Sequence, residues 1–268
     1  MNVSVIVTTY NRPDALRKVM DGLLAQTCLP DEIIVADDGS GPDTRAAMAP
    51  YLEHRQVAVS HVWQADKGFR AARIRNKAIH ASTGEYLILL DGDCIPEKHF
   101  VADHKALARP GYFFQGKRVL VNEKEAEGFE SRHTGSLTRL MGLALRSGIS
   151  NSHHIIRLPF FPTYSVAKLS GIRSCNMGLY RKDVVAVNGF NQDFVGWGRE
   201  DSEFVVRLFR YGLGRRENPF RAVCFHLWHR ENSRDKLERN DDLLERSEQA
   251  DVYYCDQGLD YFKSRSGK

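Results

Sequence analysis

The chain lacks a membrane-crossing run, a cysteine framework and a glycine-rich phosphate loop, and each absence removes a class of function. No apolar run in its 268 residues approaches the ~18 needed to cross a bilayer. The five cysteines (Cys28, Cys94, Cys175, Cys224, Cys255) are far apart, odd in number and form no CxxC pair. That argues against a disulfide scaffold or a zinc knuckle and fits a reducing compartment. The opening Met1–Val7 has no basic flank and is too short for the apolar core of a signal peptide, so it reads as a first strand. A net charge of +4 is too mild to imply nucleic acid, although it suits a phosphorylated ligand or an anionic membrane surface. No G-x-G-x-x-G follows the first apolar run, where a dinucleotide fold would need it; the turn is Thr8-Thr9-Tyr10-Asn11-Arg12. No Ser-His-Asp or Cys-His arrangement stands out as a source of covalent catalysis. A soluble, cytoplasmic protein with a sizeable core is expected, built as one large domain or two small ones.

What is present centres on Tyr86-Leu87-Ile88-Leu89-Leu90-Asp91-Gly92-Asp93-Cys94. Five largely apolar residues suit a strand buried on both faces, and they end in two carboxylates separated by one glycine. In an extended chain, residues i and i+2 point the same way, so Asp91 and Asp93 are expected to converge. Such a pair repels unless a cation sits between, and open α/β sheets bind ligands at this end. A divalent metal holding a phosphate follows; an ordinary acidic turn is the alternative. Before this stretch, apolar runs at Val3–Val7, Ile33–Ala36 and Val57–Trp63 alternate with helical patterns from Pro13, over Thr44–Leu52 and over Phe69–Ala81. That order predicts a parallel, doubly wound sheet. Arg70 and Arg73, spaced i, i+3, are expected to share a helix face, either toward a diphosphate or toward solvent.

The pattern weakens from His99 to Phe161. Phe113–Val121 reads as a strand. Leu137, Leu140, Met141, Ala144 and Leu145 recur at helical spacing beside Arg132, Arg139, Arg146 and His153-His154. An apolar face packed on the core is the expected reading, and a basic helix lying on an anionic membrane the alternative. In Gly196-Trp197-Gly198-Arg199-Glu200-Asp201, two glycines bracket an indole suited to stacking on a sugar or base. The carboxylates after it open a helix, where the dipole favours them, and one beside such a ring is placed to act as a general base. His226 and His229 follow a short strand and are candidates to complete a metal site with Asp91 and Asp93, a mixed ligand set suiting Mn2+. The charged stretch Arg230–Gln249, anchored by Leu237, Leu243 and Leu244, carries no assigned chemistry.

Together these residues resemble the inverting glycosyltransferases of family 2, which have a GT-A nucleotide-diphospho-sugar transferase fold, α/β with a mostly parallel Rossmann-like sheet flanked by helices. The resemblance is carried by Val3–Arg12, Ala36-Asp37-Asp38-Gly39-Ser40, Arg75-Asn76 and Asp91-Gly92-Asp93. Val195–Phe204, with Trp-Gly-x-Glu-Asp, is similar to the acceptor half of β1,4-galactosyltransferases and bacterial chondroitin-type polymerases. The resemblance implies that Thr8, Tyr10 and Asp38 contact uridine, and that Arg70 approaches the uracil or diphosphate. It places Asp91 at the ribose and metal edge, Asp93 as direct ligand to Mn2+ or Mg2+, and His229, with His226, completing the set. Asp201 is then the catalytic base, with Glu200 and Trp197 holding the sugars. Residues 1–100 are expected to form the donor half and 101–268 the acceptor and catalytic half of one continuous domain. The expected partners are a UDP-sugar and a glycan or lipid-linked glycan, with peripheral contact at the inner membrane face and no nucleic acid. A nucleotidyltransferase acting on a sugar phosphate and a non-catalytic carbohydrate-binding protein are the alternatives.

Overall fold

In the computed structural model, which describes residues 1–230 and 233–263, the N-terminal third alternates strand and helix as its apolar periodicity requires. In chain order, β1 (Val3–Thr9) leads to α1 (Pro13–Leu24), β2 (Glu32–Asp37) to α2 (Pro42–Leu52), and β3 (Ala58–Trp63) to α3 (Ala71–Ala81). Pro13 opens α1, where its missing N–H costs nothing, and Leu16, Val19, Met20 and Leu23 turn inward. β4 (Tyr86–Asp91) completes a parallel group in the order β3-β2-β1-β4. Its side chains alternate between two cores: Ile88 and Leu90 join Leu16, Met20 and Phe225 on one side, while Leu87 and Leu89 join Ile74, Phe190 and Phe204 on the other. Burying each such side chain contributes roughly 1.5–3 kcal/mol, which is why the run is apolar on both faces.

Beyond β4 the chain makes β5 (Cys94–Pro96), α4 (Phe100–Leu107), β6 (Tyr112–Gln115), β7 (Lys117–Val121), α5 (Glu123–Ala126), α6 (Leu137–Leu145) and β8 (Ile149–Ser150). It continues through β9 (Tyr164–Val166), β10 (Asn176–Tyr180), α7 (Arg181–Ala186), α8 (Glu200–Arg210), β11 (Gly214–Glu217), β12 (Val223–Leu227), α9 (Leu237–Gln249) and α10 (Asp260–Lys263). The main sheet extends as β4-β10-β6-β11-β9, with β10 antiparallel to both neighbours. A second sheet runs β5-β12-β7-β8.

Two elements differ from their sequence reading. The single strand expected over 113–121 is two strands, which part at Gly116 into different sheets. A Cβ at Gly116 would stand 2.2 Å from the Asn176 side chain, so only glycine lets the chain pass there. The apolar stripe of α6 is also divided. Leu140 and Leu143 are buried, but Leu137, Met141 and Leu145 are 48%, 53% and 86% exposed. This nine-residue helix rests on the second sheet along one side only, and no described residue covers the other.

Candidate active site

A cavity of about 950 Å³ opens at the carboxyl ends of β1 and β4, where an α/β sheet with divergent connections binds its ligands. Its walls come from both halves of the chain, from Thr8 to Leu237.

β4 does not carry Asp91 and Asp93 to a single point. The chain turns after Asp91, fixed by the Gly92 N–H donating to Thr8 O at 2.7 Å, and Asp93 O accepts from Leu227 N at 2.9 Å. The two carboxylates therefore face different partners. Asp93 Oδ2 accepts from the Arg12 guanidinium at 2.6 Å, with His229 Nε2 at 3.5 Å, while His226 Nε2 lies 3.6 Å from Oδ1. The three side chains offer ligand atoms all within 4.8 Å of one another, so they can hold a divalent ion. Burial pushes His226 down to about 4 despite Asp93, leaving a neutral imidazole with a free lone pair. His229 Nδ1 donates to Arg230 O at 2.7 Å, a contact that orients the ring with Nε2 toward Asp93.

Asp91 belongs to the next group. Withdrawal from water pushes it up to about 6, against the pull of Arg75 and with the push of Asp93 and Glu200. The hub here is Arg75, buried on α3. It donates to Glu200 Oε1 at 2.9 Å, Asp91 Oδ1 at 3.4 Å and Thr8 Oγ1 at 3.3 Å, and lies 5.4 Å from the Phe190 ring centre. Burial alone would lower its pKa, but Glu200 and Asp91 more than offset that, so the guanidinium stays charged. Its neighbour Asn76 donates to Phe190 O at 2.7 Å and accepts from Phe190 N at 2.8 Å, tying α3 to the chain that leads into α8.

Arg199 precedes α8 in a left-handed conformation, φ 77°, and pairs with Asp241. Glu200 is buried against Arg75, whereas Asp201 reaches the cavity partly exposed. Burial, reinforced by Glu200 and opposed by Arg75, pushes Asp201 up to about 7. Trp197 stands 38% exposed at the rim with Arg234 5.3 Å over its ring. Its loop is held by Gly196 N–H donating to Phe69 O at 2.9 Å, and by Asn240 donating to Gly198 O at 2.9 Å and Val195 O at 3.3 Å. A Cβ on Gly196, φ 84°, would stand 2.6 Å from Lys236 Cβ. The C-terminal arm, given no role by its sequence, thus clamps the tryptophan turn through a buried asparagine. Glu231 and Asn232, within that arm, lie outside the described residues.

On the other wall, Thr8, Tyr10 and Asp38 also line the cavity. Tyr10 donates to Asp66 Oδ2 at 2.9 Å. Asp38 is buried, which raises its pKa, while Arg70 N–H and Gln64 donate to it. Arg70 caps α3 and turns its guanidinium to Ala65 O. Arg73 points elsewhere, to Gln192 at 3.0 Å and Tyr261 at 3.2 Å. The two do not share a face; the arginine on the cavity is Arg75, two positions on. Arg12 and Arg118 are further lining residues for which the sequence pattern carried no role.

This mostly parallel sheet, with its flanking helices and a cavity at the strands' carboxyl ends, is the GT-A glycosyltransferase fold. The pattern described as glycosyl transferase family 2 matches residues 4–187, and the chain belongs to that family. A second pattern, described as the N-terminal domain of galactosyltransferase, matches residues 157–230. A hyaluronan synthase of Pasteurella multocida is 28% identical over 226 residues, 79% of this chain and 23% of the relative. The chain spans about half or less of the curated relatives it matches first. Among solved structures, the mannosyltransferase PcManGT of Pyrobaculum calidifontis, in complex with GDP-Man and Mn2+, superposes with TM-score 0.58 at 20% identity, covering 86% of this chain and 58% of that one. TarS 1–349 of S. aureus in complex with UDP gives 0.62 at 18% identity, covering 92% and 65%.

Proposed function

We propose that this protein is a metal-dependent, inverting glycosyltransferase that moves a hexose or N-acetylhexosamine from a UDP-sugar to a hydroxyl of a glycan or lipid-linked glycan. One observation carries this: a cation-competent triad, Asp93, His226 and His229, and a protonatable carboxyl, Asp201, share one cavity. Inversion needs a single base and no covalent nucleophile, and Asp201 is a partly exposed cavity carboxylate with a pKa suited to take the acceptor proton. Asp93, His226 and His229 would hold Mn2+ or Mg2+, which when bound supplies the Lewis acidity that stabilises a departing UDP. Arg75 holds Glu200 and Asp91 in place through its hydrogen bonds, so that Glu200 can meet acceptor hydroxyls beside Trp197. Thr8, Tyr10 and Asp38 line the wall where a uridine would lie, with Asp38 able to accept from the uracil N–H and Arg70 fixing its carboxylate. Residues 1–100 form the donor half, completed at the metal by His226 and His229, and the rest of 101–268 serves the acceptor and catalysis.

Bacterial surface polysaccharide or lipopolysaccharide synthesis at the inner membrane face is the setting we favour, in keeping with the relatives' names. No helix among the described residues is long and apolar enough to cross a membrane. Peripheral contact is supported by the uncovered stripe on α6. The test of the donor site is calorimetric titration of UDP with Mn2+ and then with EDTA, on wild type and Asp93→Ala. Binding that requires both the ion and Asp93 is expected; binding indifferent to both would sink the metal-dependent reading.

A further inference from the structure

A second chamber, of about 420 Å³, adjoins the main cavity and shares Arg118, Ser170, Arg173 and Cys175 with it. Its lining is strongly one-signed. Lys117, Arg118, Arg173 and Arg215 face a single carboxylate, Glu217. That carboxylate is already taken, because Lys117 and Arg215 both pair with it and Tyr164 donates to it at 3.4 Å. His154, whose Nδ1 donates to Pro219 O at 2.6 Å, is held neutral by burial and adds no charge. An excess of three positive charges is therefore left facing the space.

Two of these cations, Arg118 and Arg173, form no ion pair with a carboxylate among the described residues, Arg118 feeling Asp91 only at longer range. The Arg118 guanidinium donates only to Cys175 Sγ, at 3.8 Å. The exposed Arg173 engages Gln115 through its backbone, its N–H donating to Oε1 and its carbonyl accepting from Nε2, and its guanidinium makes no hydrogen bond with a described residue. Arg215 braces the floor through Lys168 O and Ser170 O, and its buried Nε donor has no acceptor. Arg118 and Arg173 stand where the chamber meets the main cavity, whose deeper arginines, Arg12 and Arg75, are each engaged by carboxylates. Guanidinium groups left without counter-ions beside a polar, water-accessible space are built to take carboxylate or phosphate oxygens.

We propose that this chamber is an acceptor subsite for an anionic group, a carboxylate or a phosphate carried by the sugar next to the reacting hydroxyl. This rests on the transferase reading for its role beside Asp201, but the chamber's selectivity is measurable without it. The test is saturation-transfer NMR, with Mg2+ present and with UDP present or absent, using three probes on one ring. These are methyl β-D-glucuronide, the 6-phosphate of methyl β-D-glucoside, and neutral methyl β-D-glucoside. At least one anionic probe is expected to bind about tenfold tighter than the neutral one, the least that a charge-assisted hydrogen bond should give. Whichever anion wins identifies the source of the charge. Arg173→Glu, an exposed change, should abolish the preference for the anionic probes over the neutral one. Equal binding of all three probes, no binding of any, or a preference that survives Arg173→Glu overturns the proposal. Loss of UDP binding in wild type would count against the donor site and not against the chamber.

Discussion

Asp201 is half ionised near neutrality, because burial and the adjacent Glu200 raise its carboxyl to about 7 against the pull of Arg75. Only the ionised form accepts a proton, so kcat/KM should fall about tenfold per pH unit below 7 and level off above it, the limb reporting the free enzyme. Asp201→Asn should cut turnover at least ~10²-fold, abolish that limb and leave UDP binding intact. Rate–pH profiles and UDP titrations of both proteins check this; a variant with normal turnover, or one that keeps the limb, removes Asp201 from the role of base. The acidic and imidazole members of the site were legible in the sequence because each sits at the boundary between an apolar run and a turn. Arg75 was marked only as part of a motif, without a role, and Arg118 carried none. A long guanidinium side chain can turn toward either side of its element, and its partner Glu200 lies 125 residues away from Arg75.

At the scale of elements, β1, α1, β2 and β4 were readable because each buries a face whose period matches its geometry. The failures came where contacts between distant segments decide. The division of 112–121 depends on Gly116 passing under Asn176, and α9 is anchored by Asn240, a polar residue that no hydrophobic pattern marks. α6 is the instructive case, since periodicity identified the helix but not which of its leucines meets the core. Leu137, Met141 and Leu145 remain outside with Arg132, Arg139 and Arg146, all exposed; among the described residues only Arg146 has a carboxylate, Glu125, at 3.8 Å. An apolar stripe edged by arginines suits an anionic bilayer, where each basic residue near the surface is worth roughly 1 kcal/mol. Co-sedimentation should therefore show binding to phosphatidylglycerol vesicles, weakened by salt, and little to phosphatidylcholine. Replacing all three apolar residues by serine should release the protein. Equal recovery of wild type and triple variant with anionic vesicles would mean that α6 does not dock.

At the scale of the whole molecule, the cavity is a seam. Thr8, Asp38, Asp91 and Asp93 come from the N-terminal sheet, while Arg118, Ser174, Glu200, His226 and Leu237 come from segments that follow it. The two sides are already joined by Arg75 to Glu200, by Asn76 to Phe190 and by Asp93 O to Leu227 N. One apolar cluster also runs without a break from Val3 to Leu227. A single cooperative thermal transition follows from that continuity, since neither side has a core that closes alone. A ligand gripping both sides binds the folded state only. At a hundred times its dissociation constant it should add about 2.7 kcal/mol. For a chain of this size each kcal/mol moves the midpoint by roughly 2–4 °C, so UDP with Mn2+ should raise Tm by about 5–10 °C. EDTA should remove most of the shift in wild type, and Asp93→Ala should show little shift with or without the ion, because Asp93 is the one carboxylate of the proposed triad. Differential scanning calorimetry distinguishes the outcomes. Two resolved transitions, with UDP moving only the first, would mean that the donor half folds as its own unit and that the seam is a docking surface between independent bodies.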